Sequence, residues 1–199
     1  MPIQKITSGI IDGTTTFANT AISGTIIASQ IATVNANTIT SGSIPLAQIP
    51  QLSGAKLPTG SVLQVVSAST TTRTSTTSTS YVDCTNVTAS ITPTSATSKI
   101  LVLVTATGLL RPSNAGEAIS LRLLRSATTI FEQINHMYSA STNLDFVSPS
   151  NMVYLDSPAT TSSTTYKLQF KARLGSGTIY INQDNASDVS SITLMEIAA

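Results

Sequence analysis

Tryptophan is absent from this 199-residue chain, cysteine and histidine occur once each, and charged residues make up only 10% of it. Each scarcity removes a class of protein. Ten basic and nine acidic side chains leave a formal net charge of +1, too little field to steer a nucleic acid or an anionic membrane, and no basic run restores it. The lone cysteine, Cys84, forbids an intrachain disulfide and any metal site built on several thiolates. As a nucleophile it would need a base, and His136 is the only imidazole; a buried small hydrophobe is the simpler role for it. No apolar stretch reaches the roughly 20 residues that cross a bilayer, so membrane insertion is not expected. The N-terminus lacks the basic start and hydrophobic stretch of an export signal, so the chain is expected to be made in a cytoplasm and retained there or released by lysis.

Ser and Thr, by contrast, make up roughly a third of the residues. Together with Val and Ile they suit pleated surfaces, because a branched Cβ packs well there, while long amphipathic runs of strong helix formers are missing. The chain is therefore expected to be all-β. Its first fifty-odd residues carry a loose tandem pattern of Ile or Leu followed by Ser/Thr and Gly: Ile6 to Gly9, Ile22 to Gly24, Ile39 to Gly42, Leu52 to Gly54. The segment is rich in β-branched apolar residues, has one aromatic, Phe17, and almost no charge. A stretch this short rarely closes a core without staples, and it has none. Disorder goes with low hydrophobicity and high charge, the opposite of this composition. Packing against copies of itself remains, which predicts an intertwined oligomeric stalk. The glycines at 9, 24, 42 and 54 keep no fixed period, so a propeller or leucine-rich solenoid is not indicated.

A boundary follows in SIPLAQIPQLSGAKLPTG, where Pro45, Pro50 and Pro58 each remove a backbone donor and bias the preceding residue to extended geometry. The expected division is a stalk and attachment segment over 1–57 and a head over 58–199. In the head, apolar alternation predicts strands at Val62 to Ala68, Ser98 to Val104, Ala118 to Ser126, Met152 to Leu155, Tyr166 to Arg173, Thr178 to Asn182 and Ser191 to Ile197, with a strand and turn at Tyr81 to Val87. Tyr166, Leu168, Phe170 and Ala172 share one face, and Lys167, Gln169, Lys171 and Arg173 the other. SKILVLV, at Ser98 to Val104, is apolar on both faces and must be covered twice, once inside the sandwich and once by a neighbouring subunit. The fold class expected is all-β, an N-terminal extended trimeric fibre stalk followed by a C-terminal jelly-roll-like β-sandwich head. Three chains about one axis would let stalk and head both bury self-complementary surface without an open edge.

Several runs carry a family likeness: LPTGSVLQVVSAS at Leu57 to Ser69, SKILVLV, YLDSPATTSSTTYKLQ at Tyr154 to Gln169, and the terminal SSITLMEIAA. Over roughly residues 57 to 199 the chain resembles the terminal domains of bacteriophage tail fibre proteins, those of phages infecting cyanobacteria and marine bacteria in particular. The resemblance implies a virion-located homotrimeric appendage, docked by its N-terminus on another virion protein, whose head touches the host surface. The matching runs are strand and turn sequences, so they identify a scaffold and transfer no site residues.

Any chemistry would have to come from the acids and the single histidine. Polysaccharide-cutting tailspikes need two carboxylates in differing environments. Asp184 and Asp188 are near in sequence but fall in the polar INQDNASDVS, which offers no apolar wall to raise either pKa. The same run offers oxygens at Asn182, Asp184, Asn185 and Asp188 for Ca²⁺, without the glycine and terminal glutamate of the helical calcium loop. His136 has no second imidazole for zinc short of a symmetry axis, and no serine sits in a glycine-framed elbow. No enzyme, metal or cofactor is therefore expected. For recognition, the loops are the place to look. Gln133 to Phe146 concentrates His136, Met137, Tyr138, Asn143 and Asp145. Asn182 to Ser190, with Asn182, Asp184 and Asn185, and Arg111 to Glu117 are the other loops. The expected glycan contacts, to host polysaccharide or lipopolysaccharide, are His136, Tyr138, Asn143, Asp145, Asn182, Asp184 and Asn185. The alternative is a capsid decoration, head fibre or baseplate spacer that recognises nothing outside the particle.

Overall fold

The computed structural model describes residues 57–112, 115–141, 145–183 and 187–199, all within the second of the chain's two units, Gln51–Ala199. The predicted stalk lies outside the described residues apart from Leu57. Among the described residues there is no helix, and ten strands carry the fold: β1 (Val62–Thr70), β2 (Thr74–Thr76), β3 (Val82–Ile91), β4 (Lys99–Pro112), β5 (Glu117–Arg125), β6 (Thr128–Ser139), β7 (Phe146–Asp156), β8 (Thr164–Ala172), β9 (Gly177–Ile181) and β10 (Ser190–Ile197).

All pairings are antiparallel, and they form two sheets. In the first, β10 lies along Lys99 to Thr105 of β4 and β9 along Gly108 to Pro112 of the same edge, so the two are successive stretches of one interrupted line. β1 and β2 are interrupted at the same level, Thr70 pairing with Ser190 and Thr74 with Ile181. β7 takes the other edge of β4. The second sheet runs β3-β8-β5-β6. Treating each interrupted pair as one line leaves eight, ordered 1-8-3-6 in one sheet and 2-7-4-5 in the other. First pairs with eighth, second with seventh, third with sixth and fourth with fifth, as in one long hairpin folded over on itself.

The core lies between the sheets. On β8 the alternation predicted from sequence is complete: Tyr166, Leu168, Phe170 and Ala172 are each 0% exposed, while Lys167, Gln169 and Lys171 are half-buried on the outer face. Ile192 and Leu194 of β10 and Ile100, Val102 and Val104 of β4 are buried in the same core. Each large side chain removed from water in this way contributes roughly 2–3 kcal/mol. Leu101 and Leu103, between them, are half-buried on the outer face of the first sheet. SKILVLV is thus apolar on both faces as expected, and the described residues fully cover one of them.

Two expected boundaries are corrected. β4 continues to Pro112 instead of stopping at Val104, and Gln133 to Ser139, expected as a loop, belongs to β6. The cause of the second is a bulge. Ile119 pairs with Met137 but Leu121 pairs with Gln133, so β6 spends four residues where β5 spends two. Asn135 takes φ 51° there and donates its N–H to the buried Ser120 Oγ at 2.9 Å. The bulge breaks the two-residue period by which a half-buried strand is read, and it bends an edge strand that would otherwise offer open backbone groups.

Strand direction gives the sandwich two poles. Leu57 comes in beside the end of β10, where the Gly60 N–H donates to the Ala198 carbonyl at 2.8 Å. The β3–β4, β5–β6 and β7–β8 connections share that pole. The β4–β5, β6–β7 and β8–β9 connections lie at the opposite one.

Candidate functional site

The pole opposite Leu57 is organised around Glu117, a fully buried carboxylate at the start of β5. Its Oε1 accepts from the backbone N–H groups of Ala118 (3.0 Å), Arg173 (2.9 Å) and Leu174 (2.8 Å), and its Oε2 from the Ser176 N–H (2.8 Å) and Oγ (3.1 Å). Burial pushes this carboxyl up, but the donors from Leu174, Ala118 and Ser176 outweigh it, so the net shift is downward. One side chain thereby ties the start of β5 to the β8–β9 turn. That turn also needs Gly175, at φ 69°, where an added Cβ would stand 2.8 Å from the Thr77 carbonyl oxygen.

On this frame, Arg173 Nη1 donates to the Gly116 carbonyl at 2.7 Å, and its guanidinium lies 5.7 Å from the centroid of the Tyr138 ring. Tyr138 is 51% exposed and Leu174 50%. His136 is exposed on β6, within the bulge that also exposes Ile134, and Asp145 is exposed just before β7. Among the expected contacts, then, His136, Tyr138 and Asp145 lie towards one pole, the first two on a strand and not in the loop predicted for them. Asn143, Asp184 and Asn185 lie outside the described residues.

Asn182 is a correction. Expected as a solvent-facing contact, it is fully buried. Its amide donates to the carbonyls of Thr70 (3.0 Å) and Thr72 (3.3 Å), its Oδ1 accepts from Ser190 Oγ (2.6 Å), and its N–H donates to Thr107 O (2.9 Å). Ser190 Oγ in turn accepts from the Thr107 N–H at 3.3 Å. The asparagine replaces the ladder bonds lost where both strand lines are interrupted. A buried amide so occupied has nothing left for a ligand.

Three further features leave no local signal in the sequence. Asp156, buried on β7, accepts from Arg125 Nη1 (2.9 Å to Oδ1) and from Tyr166 Oη (2.7 Å) at the Leu57 pole. Glu196, fully buried, accepts from Thr94 N–H and Oγ1, both 2.7 Å, and from Gln64 Nε2 at 2.6 Å; burial raises its pKa, and these donors bring the net shift below the usual carboxylate value. The third is a polar row across the outer face of the second sheet: Asp83, Gln169, Arg122 and Glu132 stand opposite one another on β3, β8, β5 and β6. Tyr81 closes over it, with Arg122 4.1 Å and Lys171 4.6 Å from its ring centroid and its hydroxyl bonded to Glu132. Burial and the Glu132 carboxylate raise the Tyr81 pKa. Two cations thus already contact that ring, which competes with stacking of a sugar on it.

The carboxylates at Glu117 and Glu196 are saturated by fixed donors and shifted downward, the reverse of what a general acid needs. Among the described residues no group of three or more His, Cys, Asp or Glu stands close enough to hold a metal ion. Cys84 is buried and burial pushes its thiol up to about 12, consistent with a packing role.

No family model and no curated protein matches the chain. Among solved structures it is similar to the infectious bursal disease virus VP2 subviral particle, at 16% identity and a TM-score of 0.33 over 68% of this chain and 38% of that one. A T13 viral particle of the same virus gives 15% identity and a TM-score of 0.34, with 68% of this chain and 36% of that one covered. The chain thus spans well under half the length of those it matches. A likeness at this level carries no structural or functional argument.

Proposed function

We propose that the chain is a structural appendage of a virus particle, homotrimeric, attached through its N-terminal segment, with a jelly-roll head that presents its far pole to a host-surface glycan. The observation that carries this reading is polar separation. The chain comes in at one end of the sandwich, and His136, Tyr138, Arg173, Leu174 and Asp145 are gathered towards the other, on a frame stiffened by Glu117. The strand order 1-8-3-6 and 2-7-4-5 supports the jelly roll, and the fibre-like runs from Leu57 onward support the virion role. A weak single site suffices in a trimer, because copies held together raise the effective concentration of one another. The head is read as a binder, not an enzyme.

The test is binding of the full chain to host cells and to extracted lipopolysaccharide, with free glycan as competitor. Competed binding, lost in a His136→Ala, Tyr138→Ala double variant of unchanged melting temperature, supports recognition at this pole. A second reading, a non-recognising capsid decoration or spacer, is favoured by the engagement of Tyr138 with Arg173 and the burial of Asn182, which occupy two of the expected contacts within the head itself. Absence of binding by a properly assembled chain selects it.

A further inference from the structure

The outer face of the first sheet, formed by β1, β10, β4 and β7, is the largest feature that neither pole explains. Its side chains fall in rows across four strands. Val65, Met195, Leu101 and Leu155 form one wholly apolar row, and the next is Ser67, Thr193, Leu103 and Val153. Val65 is 54% exposed, Leu155 52% and Val153 63%. The third row, Ser69, Ser191, Thr105 and Asn151, is polar but uncharged. We infer that this face is a self-association surface, covered in the assembled protein by a second copy of the same chain.

Three observations commit it to that occupant. Three of the five hydroxyls on it are already paired within the sheet, Ser67 Oγ with Thr193 Oγ1 at 2.9 Å and Thr105 Oγ1 with Asn151 Oδ1 at 3.0 Å, so covering the two apolar rows strands no unpaired hydroxyl. None of the three rows carries a charge, and Lys99, in the row beyond, is bonded to Ser157. A partner recognised by opposite charge would find nothing to hold, whereas an identical uncharged face meets no repulsion. With strands about 4.8 Å apart and rows about 7 Å apart, the rows span on the order of 400 Å² in projection and more in accessible area. In projection that is about half of one partner's share of a stable interface, about 800 Å², so the face supplies a large part of such a share and rows beyond it the rest. The apolar rows are also the ones nearer the pole where Leu57 comes in. Copies joined upstream would bring these rows together first, a point that rests on the homo-oligomeric reading.

The experiment is photo-crosslinking on the full chain with a benzophenone amino acid at Val153, in a sample co-assembled from light and heavy isotope-labelled copies. Position Thr88, exposed on the outer face of the second sheet, carries the control probe. Mixed-isotope crosslinks from position 153, lost in a Val65→Lys, Leu155→Lys background and absent from position 88, support the inference. Crosslinks confined to one isotope mean that the chain's own residues cover the face and overturn it, as does the absence of crosslinks. Light scattering on the same sample separates two failures. An oligomer whose crosslinks avoid the face overturns this inference and leaves the homo-oligomer standing; a monomer overturns both.

Discussion

Replacing Glu117 by glutamine exchanges one oxygen for an NH₂ and tests whether the far pole is held as described. The carboxylate accepts five hydrogen bonds, three at Oε1 and two at Oε2. The amide keeps one acceptor, so the three backbone donors at Oε1 retain a partner while the NH₂ faces the Ser176 N–H. One buried donor left unsatisfied costs about 1–3 kcal/mol, and three bonds that lose their ionic character weaken by about 1 kcal/mol each. Relief from burying a charge offsets part of this, for a net loss of about 3 kcal/mol. In a domain of this size that lowers the melting temperature by about 10 °C. The pH dependence has a fixed sign. Because the folded pKa lies below the unfolded value, the carboxylate's stabilisation is present above the unfolded pKa, about 4.3, and lost as pH falls through the folded one. Urea titrations followed by circular dichroism should show the full gap between parent and Glu117→Gln at pH 7, narrowing below about pH 4. Ser176→Ala, which removes only one hydroxyl, should cost about 1 kcal/mol. A Glu117→Gln loss under about 1 kcal/mol at neutral pH, or a gap that does not narrow in acid, refutes the reasoning.

Asp156→Asn should cost about 2–4 kcal/mol, since it removes the charge that Arg125 and the buried Tyr166 hydroxyl both address; denaturant midpoints at pH 7 check this. Asn182→Ala should cost about 2 kcal/mol by leaving the Thr70 and Thr72 carbonyls and the Ser190 hydroxyl without their partner. Hydrogen exchange would show the loss concentrated at the β1–β2 and β9–β10 interruptions. Cys84 should resist thiol reagents at pH 8 in the native protein and react in full once unfolded, because burial keeps it protonated and out of reach; stoichiometric labelling of the native form would contradict that.

The sequence was most legible where one face is buried and one wet. β8 alternates without a break, so Tyr166 to Ala172 could be assigned residue by residue. β4 was legible through Val104, but beyond it the inward positions, Ala106 and Gly108, are too small to make the alternation stand out. β6 was lost to a bulge, and with it the placement of His136 and Tyr138 on a strand. The buried carboxylates could not be read at all: Glu117 and Glu196 are acceptable buried only because Arg173 to Ser176 and Gln64 with Thr94 bring donors from far along the chain. Asn182 misled for the same reason. In INQDNASDVS it has the composition of a solvated loop, and only the strand interruption opposite Thr70 turns its amide inward. Of the candidate site, the polar side chains were legible as types; which of them share a pole was a matter of strand order.

The central claim is that this chain stands on a virus particle, attached at its N-terminus with its head outward. Electron microscopy of particles from a producing culture, with a tag-specific label placed after Ala199, tests it most directly. The account predicts label in threefold sets on the particle surface, displaced from the virion body. Particles that bear no label, while the tagged chain remains in the soluble fraction, would contradict it.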